Sequence, residues 1–151
     1  MRQLCLIGMI LLIAGCTVRK PTERSAVART YDIVERNELI EELTRIMNEE
    51  GIQVKSQNIR EGTIVSDSFD VLPEFCDCGR NFFGAEYPGQ RRGVMKVKIS
   101  GTRAFKLTFD FHTKLVITAN NKQVLCTSFG ILEEKLLNAL DKSLGVAGKS
   151  P

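Results

Sequence analysis

The sequence predicts an α+β fold, an antiparallel sheet of about 4–6 strands with an N-terminal and a C-terminal helix packed on one face. Three observations predict it. Apolar stripes at helical spacing lie at both ends of the folded part, in Leu39–Met47 and Leu132–Leu144. Between them, Val94–Ser100 and Phe105–Phe111 alternate apolar and polar residues with period two, as strands of a half-buried sheet do. Strands and helices do not alternate along the chain, so a parallel sheet of βαβ units is excluded.

The elements follow in order. Thr30–Val34 reads as a short first strand or as the approach to the next helix. Asn37 is a candidate N-cap. Leu39, Ile40, Leu43, Ile46 and Met47 then mark one helix face, with Glu38, Glu41, Glu42 and Arg45 opposite and Gly51 ending the helix. Ile52 and Val54 begin a strand, and Thr63–Val71 forms another after a turn at Gly62. In the hairpin, Met95, Val97 and Ile99 alternate with Lys96 and Lys98. After Gly101-Thr102, Phe105, Leu107, Phe109 and Phe111 alternate with Lys106, Thr108 and Asp110. Leu115–Thr118 and Gln123–Cys126, separated by the turn from Ala119 to Lys122, add a strand pair or extend the hairpin. Leu132, Leu136, Leu137, Leu140 and Leu144 stripe the last helix, closed by Gly145.

The first residues carry an address. Arg2 is a basic start, Leu4–Ala14 is an apolar run, and small residues precede Cys16. The run is shorter than the ~20 residues of a spanning helix and suits a secretory leader. Ile13-Ala14-Gly15-Cys16 resembles the lipobox of bacterial lipoproteins, in which the cysteine thiol carries a diacylglycerol thioether and the mature chain is further acylated, typically with palmitate. The resemblance implies a signal peptide over 1–15, lipid on Cys16, and membrane attachment through acyl chains. Thr17 stands where lipoproteins kept at the inner membrane typically carry Asp. The implied location is therefore the periplasmic side of the outer membrane, with the inner membrane as the alternative. Residues 16–30 read as a lipidated cysteine and flexible basic tether, 31–145 as one α+β domain, and 146–151 as a disordered tail.

The chain has 21 Lys+Arg and 18 Asp+Glu, a net +3 that invites a nucleic-acid reading. Arg2, Arg19, Lys20, Arg24 and Arg29 all precede residue 31. The domain from there on is close to neutral, so no nucleic-acid partner is expected. Neither a dinucleotide-binding nor a phosphate-loop glycine motif occurs.

Set in order, a lipobox, a tether, a helix ending in Gly, the strand Gly62-Thr63-Ile64-Val65-Ser66, a long loop, a hairpin after Arg91-Arg92 and a final helix resemble the helix-grip lipoproteins of bacterial envelopes. The lipoprotein subunit of the outer-membrane β-barrel assembly complex is an example. The likeness covers about 115 residues, where that family has two such domains and no cysteine pair. It implies a non-enzymatic assembly or scaffold protein.

With Cys5 in the leader and Cys16 lipidated, Cys76, Cys78 and Cys126 remain, in a compartment where disulfides persist. A bridge between residues two apart is strained, so Cys78–Cys126 or, alternatively, Cys76–Cys126 is expected. Either pairing leaves an odd thiol, which is a buried cysteine, an intermolecular partner or the resolving member of a redox relay. The three thiols with His112 also suggest a thiolate metal site, but His112 falls on the polar face of its strand. No metal or other cofactor is assigned. One histidine and helix-borne glutamates such as Glu133-Glu134 make no catalytic constellation, and no enzyme is expected.

The connection from Pro73 to Arg92 carries Phe75, Phe82, Phe83 and Tyr87. Its rings serve either as a lid on the sheet or as an aromatic anchor for an envelope protein, rimmed by Arg80, Arg91 and Arg92. The expected function is thus a membrane-anchored interaction or assembly module. The alternatives are a small-ligand or lipid carrier, and a thiol-redox or metal-handling protein using Cys76, Cys78 and Cys126.

Overall fold

The computed structural model describes residues 27–32, 34–81, 83–146 and 149. The leader, Cys16 and Phe82 lie outside the described residues. The elements are β1 (Ala28–Tyr31), α1 (Arg36–Glu49), β2 (Val54–Asn58), β3 (Thr63–Ser66), β4 (Phe69–Asp70), a 3-10 turn (Pro73–Phe75), β5 (Cys76–Asp77), β6 (Gly89–Ser100), β7 (Phe105–Ile117), β8 (Gln123–Ser128) and α2 (Ile131–Leu144). The fold is α+β with one antiparallel sheet, of eight strands rather than 4–6.

The β6–β7 hairpin is the spine, paired without a break from Gly89↔Ile117 to Ser100↔Lys106. Along its β6 edge lie β3, then β2, with β4 pairing further down at Gly93 and Arg92. The β7 edge is shared between β1, beside residues 105–108, and β8, beside residues 113–116; β5 then pairs β8. The extra strands are short or polar, and alternation does not announce them. β6 begins at Gly89, five residues before its apolar pattern. Its early inward positions are Arg91 and Gly93, and a Cβ on Gly93 would meet Val71 Cγ2 at 2.6 Å. Expected as one strand, Thr63–Val71 is broken at Asp67-Ser68 into β3 and β4.

One core cluster unites the helix stripes with the inner face of the sheet. It takes Leu39, Ile40, Leu43, Ile46 and Met47 from α1, Leu132, Leu136, Leu137 and Leu140 from α2, and Met95, Val97, Ile99, Leu107, Phe109, Phe111 and Leu115 from the hairpin. Burying such side chains contributes roughly 1.5–3 kcal/mol each, which is what holds two marginal 14-residue helices in place. The residue before α1 is Glu35, not Asn37, and no side chain caps it. Glu50 follows the helix and Gly51 then takes a left-handed conformation (φ 78°). Between the helices, Arg45 and Ser143 both bind Glu42, and Lys135 binds Glu50.

The chain enters the sheet earlier than expected. β1 starts at Ala28, inside the segment read as tether, and Arg29 is buried. Its guanidinium donates to Asp141 Oδ2 at 2.5 Å, Glu134 Oε2 at 2.7 Å and Asn138 Oδ1 at 3.2 Å. Tyr31 Oη donates to Asp141 Oδ1 at 2.7 Å. Lys149, in the expected tail, exchanges both backbone hydrogen bonds with Thr30 at 2.9 Å. Among the described residues, no helix is long and apolar enough to cross a membrane.

Candidate functional site

The site with the most chemistry is a cluster of three sulfurs. β5 pairs with the end of β8, Cys76 opposite Ser128 and Asp77 opposite Thr127. The chain then turns at Gly79, whose N–H donates to Asp77 Oδ1 at 2.8 Å and whose φ of 79° suits glycine. The register of the β5–β8 pairing, carried one residue further, sets Cys78 opposite Cys126, to which it is disulfide-bonded across a sequence separation of 48. Cys76 is a buried free thiol with its Sγ 3.8 Å from Cys78 Sγ, and all three sulfurs lie within 4.8 Å of one another.

The surroundings are polar for a buried place. Burial pushes the Cys76 thiol above its ordinary range; the positive charge of Arg91 opposes this, and Asp77 and Glu86 add to it. Arg91 donates to Glu86 at 2.9 Å, yet its buried Nε has no hydrogen-bond partner among the described residues. Thr113 stands opposite Cys126 with a buried Oγ1 that has no partner among the described residues. Ser128, opposite Cys76, donates to Glu133 Oε1 at 2.6 Å. Expected on a wet face, Glu133 is instead 4% exposed, and its Oε2 is unpartnered among the described residues. Helical spacing turns it inward, because Glu133 lies three and four residues before Leu136 and Leu137, on the apolar stripe of α2.

This arrangement answers the redox-relay expectation. Displacement at a disulfide sulfur runs through a nearly straight line of three sulfurs. A straight line made of an S–S bond of about 2.0 Å and the 3.8 Å contact would separate the outer sulfurs by more than 4.8 Å. The sulfurs form a triangle, so Cys76 Sγ does not lie on that line in this arrangement. His112 is not part of the cluster. It projects from the other face of β7, largely exposed, with Nε2 3.0 Å from Asp110 Oδ1. A Cys–His nucleophilic pair is therefore not formed.

The loop residues separate into two groups. Phe75 and Tyr87 are partly buried against the core, the lid alternative for the rings of this loop. Arg91 points inward, its side chain only 10% exposed, instead of forming a rim. Phe83, at 89% exposure, crowns a turn in which Asn81 Oδ1 accepts from the N–H groups of Phe83 and Ala85, and Arg80 is exposed nearby. Arg92 lies on the opposite side of its strand from Arg91, 3.6 Å from Asp70. It lines an open cleft of about 450 Å³ with Phe69, Leu72, Phe75, Asp67 and Leu132, at the end of α1 and the start of α2. Leu72 is 56% exposed there.

The fold and the cluster define the class: an α+β protein on an antiparallel sheet, cross-linked at its loop by a disulfide. No model of a known protein family matches the chain, and no curated protein matches it.

Proposed function

We propose that this protein is a bacterial lipoprotein, anchored through Cys16 on the periplasmic side of the outer membrane, whose domain is a non-enzymatic interaction or assembly module. The observation that carries the reading is the leader, in which basic residue, apolar run and Ile13-Ala14-Gly15-Cys16 stand in register. The Cys78–Cys126 disulfide supports it, because such bonds persist in an oxidising compartment. We read the domain as helix-grip in type, with both helices on one sheet face. Their mutual contacts and shared core cluster support that. The partner surface is the loop tip with Arg80 and Phe83; the cleft rim at Leu72 and Arg92 is a second exposed patch. Aromatic and Arg side chains of this kind are enriched at interfaces.

The test is expression of the full chain in a Gram-negative host, followed by fractionation and intact-mass measurement. Wild type carries the mass of the acyl groups and fractionates with the outer membrane, and Cys16→Ser does neither. Wild-type protein without lipid contradicts the anchor. Cross-linking in cells with Phe83→Ala and Arg80→Ala then tests the module; capture equal to wild type contradicts the assigned surface. The carrier reading has one observation in its favour, the 450 Å³ cleft, a size within the range of ligand sites. Native mass spectrometry separates it, since a carried ligand adds a small discrete mass.

A further inference from the structure

We propose that the reduced form of this domain binds one cuprous ion between the Sγ atoms of Cys76, Cys78 and Cys126. The proposal concerns a site separate from the lipid anchor and the loop tip, and stands without either.

The geometry that disfavours sulfur exchange suits trigonal coordination. Metal–sulfur bonds of about 2.3 Å set three sulfurs about 4 Å apart around a central ion. Cys76 and Cys78 already keep 3.8 Å, and no pair exceeds 4.8 Å. Only the Cys78–Cys126 pair has to separate, by opening its bond. The backbone pairing of β5 with β8 holds the two segments together when that bond is open.

The donor set selects the metal. Thiolates are soft ligands that favour Cu(I), zinc and iron–sulfur clusters. Zinc takes four ligands in structural sites, whereas the cluster among the described residues supplies three and His112 faces away. A buried three-sulfur cradle therefore fits a monovalent ion of low coordination number. Three thiolates and Cu(I) leave a double negative charge. Arg91, with a side chain only 10% exposed and an Nε that has no partner among the described residues, places positive charge beside Cys76 to offset part of it.

The chemistry balances in two steps. A dithiol reductant gives two electrons and two protons to the Cys78–Cys126 bond and becomes a disulfide itself. Cuprous ion then displaces the protons of the three thiols into the buffer, with no change in its oxidation state.

The experiment uses the full chain in detergent with Cys5→Ser and Cys16→Ser, so that no other thiol competes. Under anaerobic conditions, the reduced and oxidised proteins are titrated with Cu(I) against a chromophoric copper chelator, beside reduced Cys76→Ser. Cys76→Ser keeps both cysteines of the disulfide, so circular dichroism of its oxidised form shows whether the substitution itself disturbs the fold. The expected result is one copper per reduced chain, with a thiolate-to-copper charge-transfer absorption. Affinity in reduced Cys76→Ser should fall by more than the roughly 10–100-fold that outer-shell changes cost. Equal competition by the reduced protein and the variant overturns the proposal, whether or not the reduced chain stays folded by circular dichroism. So does copper binding by the oxidised protein, or zinc held as tightly as copper.

Discussion

Helix α2 is tied down at both ends by buried polar chemistry, and the two ties are of different kinds. Along one side of it, from Glu134 in the first turn through Asn138 to Asp141 near the end, α2 holds Arg29 and Tyr31 of β1. Before its N-terminus, β8 carries Cys126 to the disulfide and Ser128 to Glu133. The first tie is ionic, depends on protonation and is blind to redox potential. The second is covalent at its disulfide, which depends on potential. Both join segments far apart in sequence, yet only the covalent tie has a spare reactive group, Cys76, at its side.

The largest expected effect comes from removing the covalent tie. Cys78→Ala with Cys126→Ala, read by urea unfolding against the oxidised wild type, should lose about 4 kcal/mol on the chain-entropy account of a loop this long. Reduction of wild type should cause a similar loss, whereas reduction of the double variant should cause none.

Next is the ionic tie. Arg29→Met should cost about 2–4 kcal/mol, because buried Tyr31 and half-buried Asp141 keep their places without the guanidinium. The loss should be the same in oxidised and reduced protein, within about 0.5 kcal/mol, if the ties are independent. Unequal losses would join them into one unit.

Tyr31→Phe should cost about 1 kcal/mol, and it also gives the comparison a pH signature. Burial, then the hydrogen bond and charge of Asp141, raise the Tyr31 hydroxyl pKa above its ordinary value of 10.0. A raised folded-state value means stability fully present below pH 10 and lost as pH rises above it. Wild type should therefore weaken on the alkaline side, and Tyr31→Phe should flatten that limb. Glu42 gives the opposite limb. Hydrogen bonds from Arg45, then Ser143, hold its carboxyl at about 2, so its contribution is present above pH 4.5 and lost as pH falls toward 2.

The smallest effect belongs to the loop tip. Phe83→Ser should change stability by less than about 0.5 kcal/mol while reducing partner capture. A larger loss of stability would mean that the ring supports the fold.

The helices were legible because periodicity reports burial directly. Leu39 to Met47 and Leu132 to Leu140 stripe the faces that enter the core. The hairpin centre was legible for the same reason at period two. What escaped lacks that signature. β1 buries Arg29, a residue type that reads as solvated unless its partners, more than 100 positions away, are known. β5 has two residues, and the start of β6 fills its inward positions with Arg91 and Gly93. At the sulfur cluster, spacing restricted the disulfide to two pairings, but the choice depends on the register of β5 against β8, which sets Cys76 opposite Ser128 and so carries Cys78 to Cys126. That His112 and Cys126 lie on opposite faces follows from the register Thr113↔Cys126, which alternation within one strand does not supply.

The central claim, that Cys78 and Cys126 form the covalent tie with Cys76 buried beside it, meets its most direct test in thiol mapping of the native protein. Alkylation before and after unfolding, followed by non-reducing cleavage ahead of Asp77, separates Cys76 from Cys78. The predicted result is a cross-linked Cys78–Cys126 peptide, with Cys76 modified only after unfolding. A Cys76–Cys126 peptide, or a Cys76 that reacts at once in the native protein, would contradict the account.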